Sequence, residues 1–195
     1  MANITYQDKI PYFEDQHYEI REMAHRYAQE VVKPRAAQLD ETKEFPHETV
    51  AELKEMGFLG VPFPEEVGGA GLDYLSYIIV IEELARVCGT TAITVAAHTS
   101  LGTNPIYAFG SDRQKEKYLR KLASGEMLGA FGLTEPGAGS DAGATRTTAV
   151  RDGDDWVLNG VKVYCTNGTH AGTIILTART NPEIPGPGGI TAFIV

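Results

Sequence analysis

The chain has 195 residues, 43% of them hydrophobic and 22% charged, with a formal net charge of −9. That is apolar material for a real core in one domain or two small ones, and too acidic a balance for a nucleic-acid partner, which needs a basic surface against phosphate. Cys88 and Cys165 are too far apart in sequence to suggest a disulfide framework or a metal site, the opening residues read as neither signal nor transit peptide, and no apolar run is long enough to cross a bilayer, so a reduced, cytoplasmic protein is expected.

Residues 15–32 carry Ile20, Met23, Tyr27 and Val31 at helical spacing. Pro34 lacks an amide hydrogen and kinks or restarts that helix. Pro46 suits the first turn of a second helix, whose stripe is Val50, Leu53 and Met56 and whose stop is Gly57. The Pro and Gly density of residues 58–72 reads as a loop. Asp73 can cap a third helix over 74–87, apolar around most of its circumference and therefore central. Residues 90–101 are small, apolar and β-branched; their length and their place between helices favour helix over strand. Pro105 opens a short turn ending at Gly110. Ser111 and Gln114 have the spacing of a capping box for a helix reaching about residue 123, and Ser124-Gly125 closes it. Residues 1–125 thus read as an α-helical bundle domain. His17, His25, His47 and His98 lack metal-ligand spacing and read as solvated or core-bonded imidazoles.

From residue 126 the pattern turns to strands. Residues 127–131 are a short apolar run. Residues 145–150 are rich in β-formers, Asp152-Gly153-Asp154 supplies a turn, and Trp156-Val157-Leu158 a returning strand. Asn159-Gly160 is a two-residue hairpin signal, and it predicts a further strand over 161–165, closed by Asn167-Gly168. Residues 173–180 and 190–195 are two more strands around a Pro/Gly loop. The expected fold class is α+β: the all-α helical bundle, then part of an antiparallel β-sandwich or barrel over residues 126–195. The apolar final run, Thr191-Ala192-Phe193-Ile194-Val195, carries none of the charge that guards a free sheet edge, so a fragment, or a chain that needs a partner, is expected.

After the 127–131 run comes Gly132-Leu133-Thr134-Glu135-Pro136-Gly137-Ala138-Gly139-Ser140-Asp141-Ala142-Gly143-Ala144. Its glycines let the backbone take positive φ and approach a ligand closely. Thr134, Ser140 and Asp141 add short polar side chains, and free N–H groups make an anion cradle plausible. GxGxxG is absent, so this is not a dinucleotide fingerprint. On composition alone a tight surface turn is the commoner meaning of such a stretch.

The run from Thr134 to Asp141 resembles, position by position, the first signature of the acyl-CoA dehydrogenases, FAD-dependent enzymes that oxidise acyl-CoA thioesters to 2-enoyl-CoA. Gly57-Phe58-Leu59-Gly60-Val61, Asn104-Pro105-Ile106 and Phe109-Gly110-Ser111 resemble the same family in the same order. The resemblance implies two FAD-contacting segments. In the first, from Phe131 to Ser140 through Gly139, the groups around Leu133 and Thr134 would bond the flavin's pyrimidine edge. Ser140 would reach the pyrophosphate and lie near the bound thioester. In the second, Tyr164 would cover the flavin ring and the Thr166 hydroxyl would bond N5, with Cys165 between them. Tyr164 stands where Trp or Phe is commoner in the family, and Cys165 where Ile is common. Asp141 reads as a turn-stabilising acceptor and Glu135 as a motif residue, not as an acid/base pair.

Members of that family are longer and take their glutamate base from a C-terminal helical domain. The expectation is therefore an N-terminal portion, inactive alone, with no catalytic residue and no metal assigned here. The resemblance further implies acyl-CoA as substrate, electron-transferring flavoprotein as electron acceptor and a homotetramer. The rival reading is a non-catalytic flavin- or acyl-CoA-binding or assembly subunit of a split complex.

Overall fold

A computed structural model describes residues 10–195, so the expectation for the opening residues falls mostly outside the described residues. Helix α1 (Asp15–Tyr27) passes through a π-helical turn (Ala28–Val32) into α2 (Lys33–Thr42) without a break. The wider turn lies just before Pro34, whose missing amide and bulky ring forbid an ordinary i→i−4 bond. The proline is absorbed there and does not end the helix. Helix α3 (His47–Glu55) follows Pro46, and the chain leaves it through Gly57 at φ +74. Helix α4 (Tyr74–Ala85) is capped as expected: Asp73 Oδ1 accepts the Ser76 amide at 2.7 Å. The same carboxylate lies 2.9 Å from His17 Nε2, tying the first turns of α1 and α4 together.

Residues 90–101 are helical. Helix α5 (Gly89–Ala96) continues through a π-helical turn (Ala97–Thr103) into α6 (Asn104–Phe109). Helix α7 (Asp112–Gln114) starts on the Ser111–Gln114 capping box and runs through another π-turn (Lys115–Leu119) into α8 (Arg120–Ala123). The core of this half is apolar: Leu53, Phe58, Leu59, Val80, Leu84 and Val95 are all at most 1% exposed. Each large side chain so removed from water contributes about 1.5–3 kcal/mol. Residues 58–72 lack long helices, as expected of a loop, but they are not all surface, since Phe58, Leu59, Val61 and Phe63 are buried.

The sheet has five strands: β1 (Gly129–Gly132), β2 (Thr148–Asp152), β3 (Asp155–Asn159), β4 (Thr173–Arg179) and β5 (Ile190–Ile194). Strands β2 and β3 form the antiparallel hairpin predicted around Gly153. Strand β4 is central. It pairs antiparallel with β5 on one edge; on the other it pairs parallel with β1, from Gly129↔Thr173 to Gly132↔Leu176, and with β2 at Thr148↔Arg179. The sheet is therefore mixed, which corrects the antiparallel expectation. The long excursion between β1 and β4 supplies the crossover that parallel pairing requires.

Residues 161–165 are not a strand, and Asn159-Gly160 does not turn a hairpin. Gly160 serves close packing instead: a Cβ there would lie 2.3 Å from Thr147 Oγ1. Beyond it, Tyr164 at φ +56 and Asn167 at φ +67 take the left-handed conformation, which no strand can hold.

The two halves meet at β1. A Cβ on Gly102 would lie 2.5 Å from the Gly129 carbonyl carbon, so only two glycines allow this approach. Fully buried His98 accepts the Gly129 amide on Nδ1 at 2.9 Å, which leaves Nε2 to donate to Leu122 O at 3.1 Å. Burial holds this imidazole down at about 4, so it is neutral. His98 is core-bonded, as expected. Cys88 and Cys165 are both free. Among the described residues, no helix is long and apolar enough to cross a membrane.

Candidate functional site

Strand β1 ends at Gly132, and Leu133-Thr134 leads into a tight turn. Glu135 and Ala138 exchange both backbone hydrogen bonds across it, at 2.9 and 3.1 Å. Residues 162–166 run alongside. The Val163 amide donates to Thr134 O at 2.8 Å, and Lys162 Nζ donates to Leu133 O at 3.0 Å. Burial pushes the Cys165 thiol up, a hydrogen bond with the Phe131 backbone working against it, so this thiol is a poor nucleophile. Phe131, Leu133, Thr134 and Cys165 are thus brought together from two distant stretches of sequence.

The remaining candidates neighbour these residues in sequence. Thr166 follows in the same loop and is partly buried, while Gly139 and Ser140 are exposed on the far side of the turn. Nothing lies within 4 Å of where a Gly139 Cβ would be, so the backbone there faces open space. Tyr164 is 91% exposed, a whole aromatic ring presented from a left-handed backbone position. A side chain of that size held in water at a disfavoured φ fits a surface built to be covered by a flat apolar partner.

Glu135 has a role that sequence reasoning left open. Its Oε1 accepts Lys162 Nζ at 2.8 Å and the Thr147 amide at 3.0 Å, and its Oε2 accepts the Arg146 amide at 2.7 Å. Burial alone would raise this carboxyl, but the bonds from Lys162 and the two amides outweigh it and hold Glu135 at about 2. Its side chain is 5% exposed and that of Lys162 8%. A carboxylate so engaged is unavailable for proton transfer; it fixes the turn. Asp141 corrects the sequence expectation, because its side chain caps nothing; its carbonyl accepts the Ala144 amide at 3.1 Å instead.

Two further residues escaped the sequence reading. Lys162 completes its donor set on Thr177 Oγ1 at 3.2 Å. Arg179 donates to Gly143 O at 2.7 Å, Thr145 O at 3.0 Å and Ile184 O at 3.0 Å, anchoring the outgoing end of the glycine-rich loop to β4. A lone lysine inside the apolar Val161-Lys162-Val163 run was the available signal. Arg179 gave none.

Comparisons with known proteins agree with the resemblance. A family model described as the acyl-CoA dehydrogenase N-terminal domain matches residues 14–126, and one for the acyl-CoA dehydrogenase middle domain matches residues 130–195. A short-chain specific acyl-CoA dehydrogenase of Clostridium acetobutylicum is 50% identical over 176 residues, which are 90% of this chain and 46% of that protein. The chain thus spans about half the length of the curated relatives it matches. A solved structure described as the electron transferring flavoprotein of Acidaminococcus fermentans superposes with a TM-score of 0.91 at 43% identity, over 96% of this chain and 49% of the other. Butyryl-CoA dehydrogenase from Megasphaera elsdenii gives 0.89 at 40%, over 96% and 49%. An acyl-CoA dehydrogenase complexed with FAD from Bacillus anthracis gives 0.83 at 38%, over 97% and 34%.

Proposed function

The chain belongs to the acyl-CoA dehydrogenase family, and from that premise we propose that it is the flavin-holding part of an enzyme that oxidises an acyl-CoA thioester to the 2-enoyl-CoA. The observation that carries this reading is the Val163–Thr134 bond, which sets the two signature segments side by side. The chain's own groups suit an isoalloxazine and a diphosphate: an uncovered aromatic ring at Tyr164, an open glycine backbone at Gly139, and hydroxyls at Thr134, Ser140 and Thr166 within or next to the two segments in sequence.

FAD, when bound, would accept the substrate's β-hydrogen as hydride. Phe131, Leu133 and Thr134 would hold the pyrimidine edge, Ser140 the diphosphate and the neighbourhood of the thioester. Tyr164, Cys165 and Thr166 would line the other segment, with the Tyr164 ring excluding water from one face. Lys162 and Glu135 keep the Thr134 turn from moving, because the bonds of both side chains run to other groups of the same loop and sheet. No base is assigned within this chain. Glu135 is excluded, since both its oxygens are engaged. The chain alone is therefore expected to bind flavin without turning over acyl-CoA.

The similarity to short-chain and butyryl-CoA enzymes supports a short acyl group as substrate. The neighbour described as an electron transferring flavoprotein supports that class of acceptor. A homotetramer and a cytoplasmic location belong to the same reading. So does the division into a helical domain, residues 1–125, and a β domain from residue 126, for which the helix end at Gly125, φ +71, is the support.

Titration of the purified 195-residue chain with FAD and with riboflavin tests the proposal. Saturable quenching of flavin fluorescence is expected, tighter for FAD, with Ser140→Ala narrowing the difference between the two ligands. Absence of saturable binding to either would sink it.

A further inference from the structure

Asn167 follows Thr166 directly and sits at φ +67, a conformation Asn tolerates better than most residues. Its side chain turns back into the protein. Nδ2 donates to Thr94 O on α5 at 2.9 Å and to Gly129 O at 3.3 Å, and the residue is only 7% exposed. Gly129 opens β1, two residues before Phe131. The Asn167 carbonyl accepts the amides of His170 and Ala171, both at 2.8 Å, which turns the chain after the second segment. Oδ1 is buried with no partner among the described residues. The reversed amide would set its oxygen against two carbonyls.

We infer that Asn167 is a positioning residue: one amide group that fixes residues 164–166 against the opening of β1 at Gly129 and against helix α5. The Val163–Thr134 bond joins the two segments ahead of Tyr164, and behind Thr166 Asn167 ties the second segment to the start of the strand that leads into the first. Between these clamps lie Tyr164, Cys165 and Thr166. The consequence for flavin affinity rests on the function proposed above; the clamp itself belongs to the chain and is tested without ligand.

Asn167→Gly keeps the left-handed backbone and removes both donors. Amide hydrogen exchange in the 195-residue chain, with no flavin present, reads the result. Loss of two neutral hydrogen bonds predicts exchange faster by about tenfold in peptides covering 129–134 and 163–171, with α4 peptides unchanged. Acceleration spread evenly over the chain, or no acceleration, overturns the inference. Asn167→Ser keeps one donor and is expected to fall between; it serves if the glycine variant does not fold. A parallel FAD titration separates the two readings. Segment-selective exchange with no flavin binding by the parent chain upholds the clamp and defeats the flavin assignment. Flavin binding with unchanged exchange in the variant defeats the clamp alone.

Discussion

The helical half and the sheet half are held together by different balances of apolar burial and polar bonding. The largest fully buried side chains among the described residues, from Phe58 and Phe63 to Leu84 and Leu122, all lie before Ser124. Beyond it the buried apolar residues are Ala130, Ala138, Ala149, Ile175 and Ala178, four of them alanines, while Glu135, Thr145, Thr147, Asn167 and Thr173 are also buried. Apolar burial is non-directional and fixes a shape loosely; hydrogen bonds to chosen atoms fix positions. The helical half also buries polar groups, such as Arg21 against Glu83 and the His98 ring, but they sit within a large apolar core, whereas in the half that carries the candidate site buried polar residues are as many as buried apolar ones.

Four experiments press on that contrast. Lys162→Met should cost the most, about 3–5 kcal/mol in denaturant unfolding, because it leaves Glu135 buried with two backbone amides but no countercharge. Adding Glu135→Leu to it should recover much of the loss, and failure to recover would show that the pair does more than balance charge. Leu84→Ala, in the helical core, should cost about 2–5 kcal/mol through transfer and cavity terms. It should leave flavin affinity near the parent's once folding is allowed for, whereas Lys162→Met should lower both.

The third experiment varies pH at the seam between the halves. Burial lowers the folded-state pKa of His98 from 6.5 to about 4. The unfolded state therefore binds the extra proton first on acidification, and the stability tied to neutral His98 is full above pH 6.5 and lost as pH falls toward 4. A His98→Gln variant should be less stable at neutral pH yet show a shallower decline over that window. A parallel decline in both proteins would remove His98 from the account. The smallest effect on stability is expected at Tyr164→Ala, within about 0.5 kcal/mol, since the ring is 91% exposed. Its effect belongs in the flavin titration, as weaker binding at unchanged melting temperature.

The same division explains what could be read in the sequence. Helix positions followed from spacing and caps, as at Asp73 and Ser111, because apolar periodicity and end signals are local. The glycine-rich stretch and its second segment were found through a family resemblance, not through composition. What failed was pairing. Residues 161–165 have the composition of a strand, yet Lys162 and Val163 bond back to Leu133 and Thr134, almost thirty residues away by the Lys162 separation of 29. Asn167 looked like a turn residue closing a strand. Its donors to Thr94 and Gly129 are tertiary, and no local pattern encodes them. Polar stitches between distant carbonyls leave a single short side chain as their trace in sequence.

The contact between Gly102 and Gly129 has a further consequence. A methyl group at either position would wedge the π-helical turn away from the opening of β1. Both positions are therefore held at glycine for as long as the helix and the strand keep this spacing. Anyone grafting the sheet of one relative onto the helices of another should expect this seam, more than the choice of linker, to decide whether the chimera assembles.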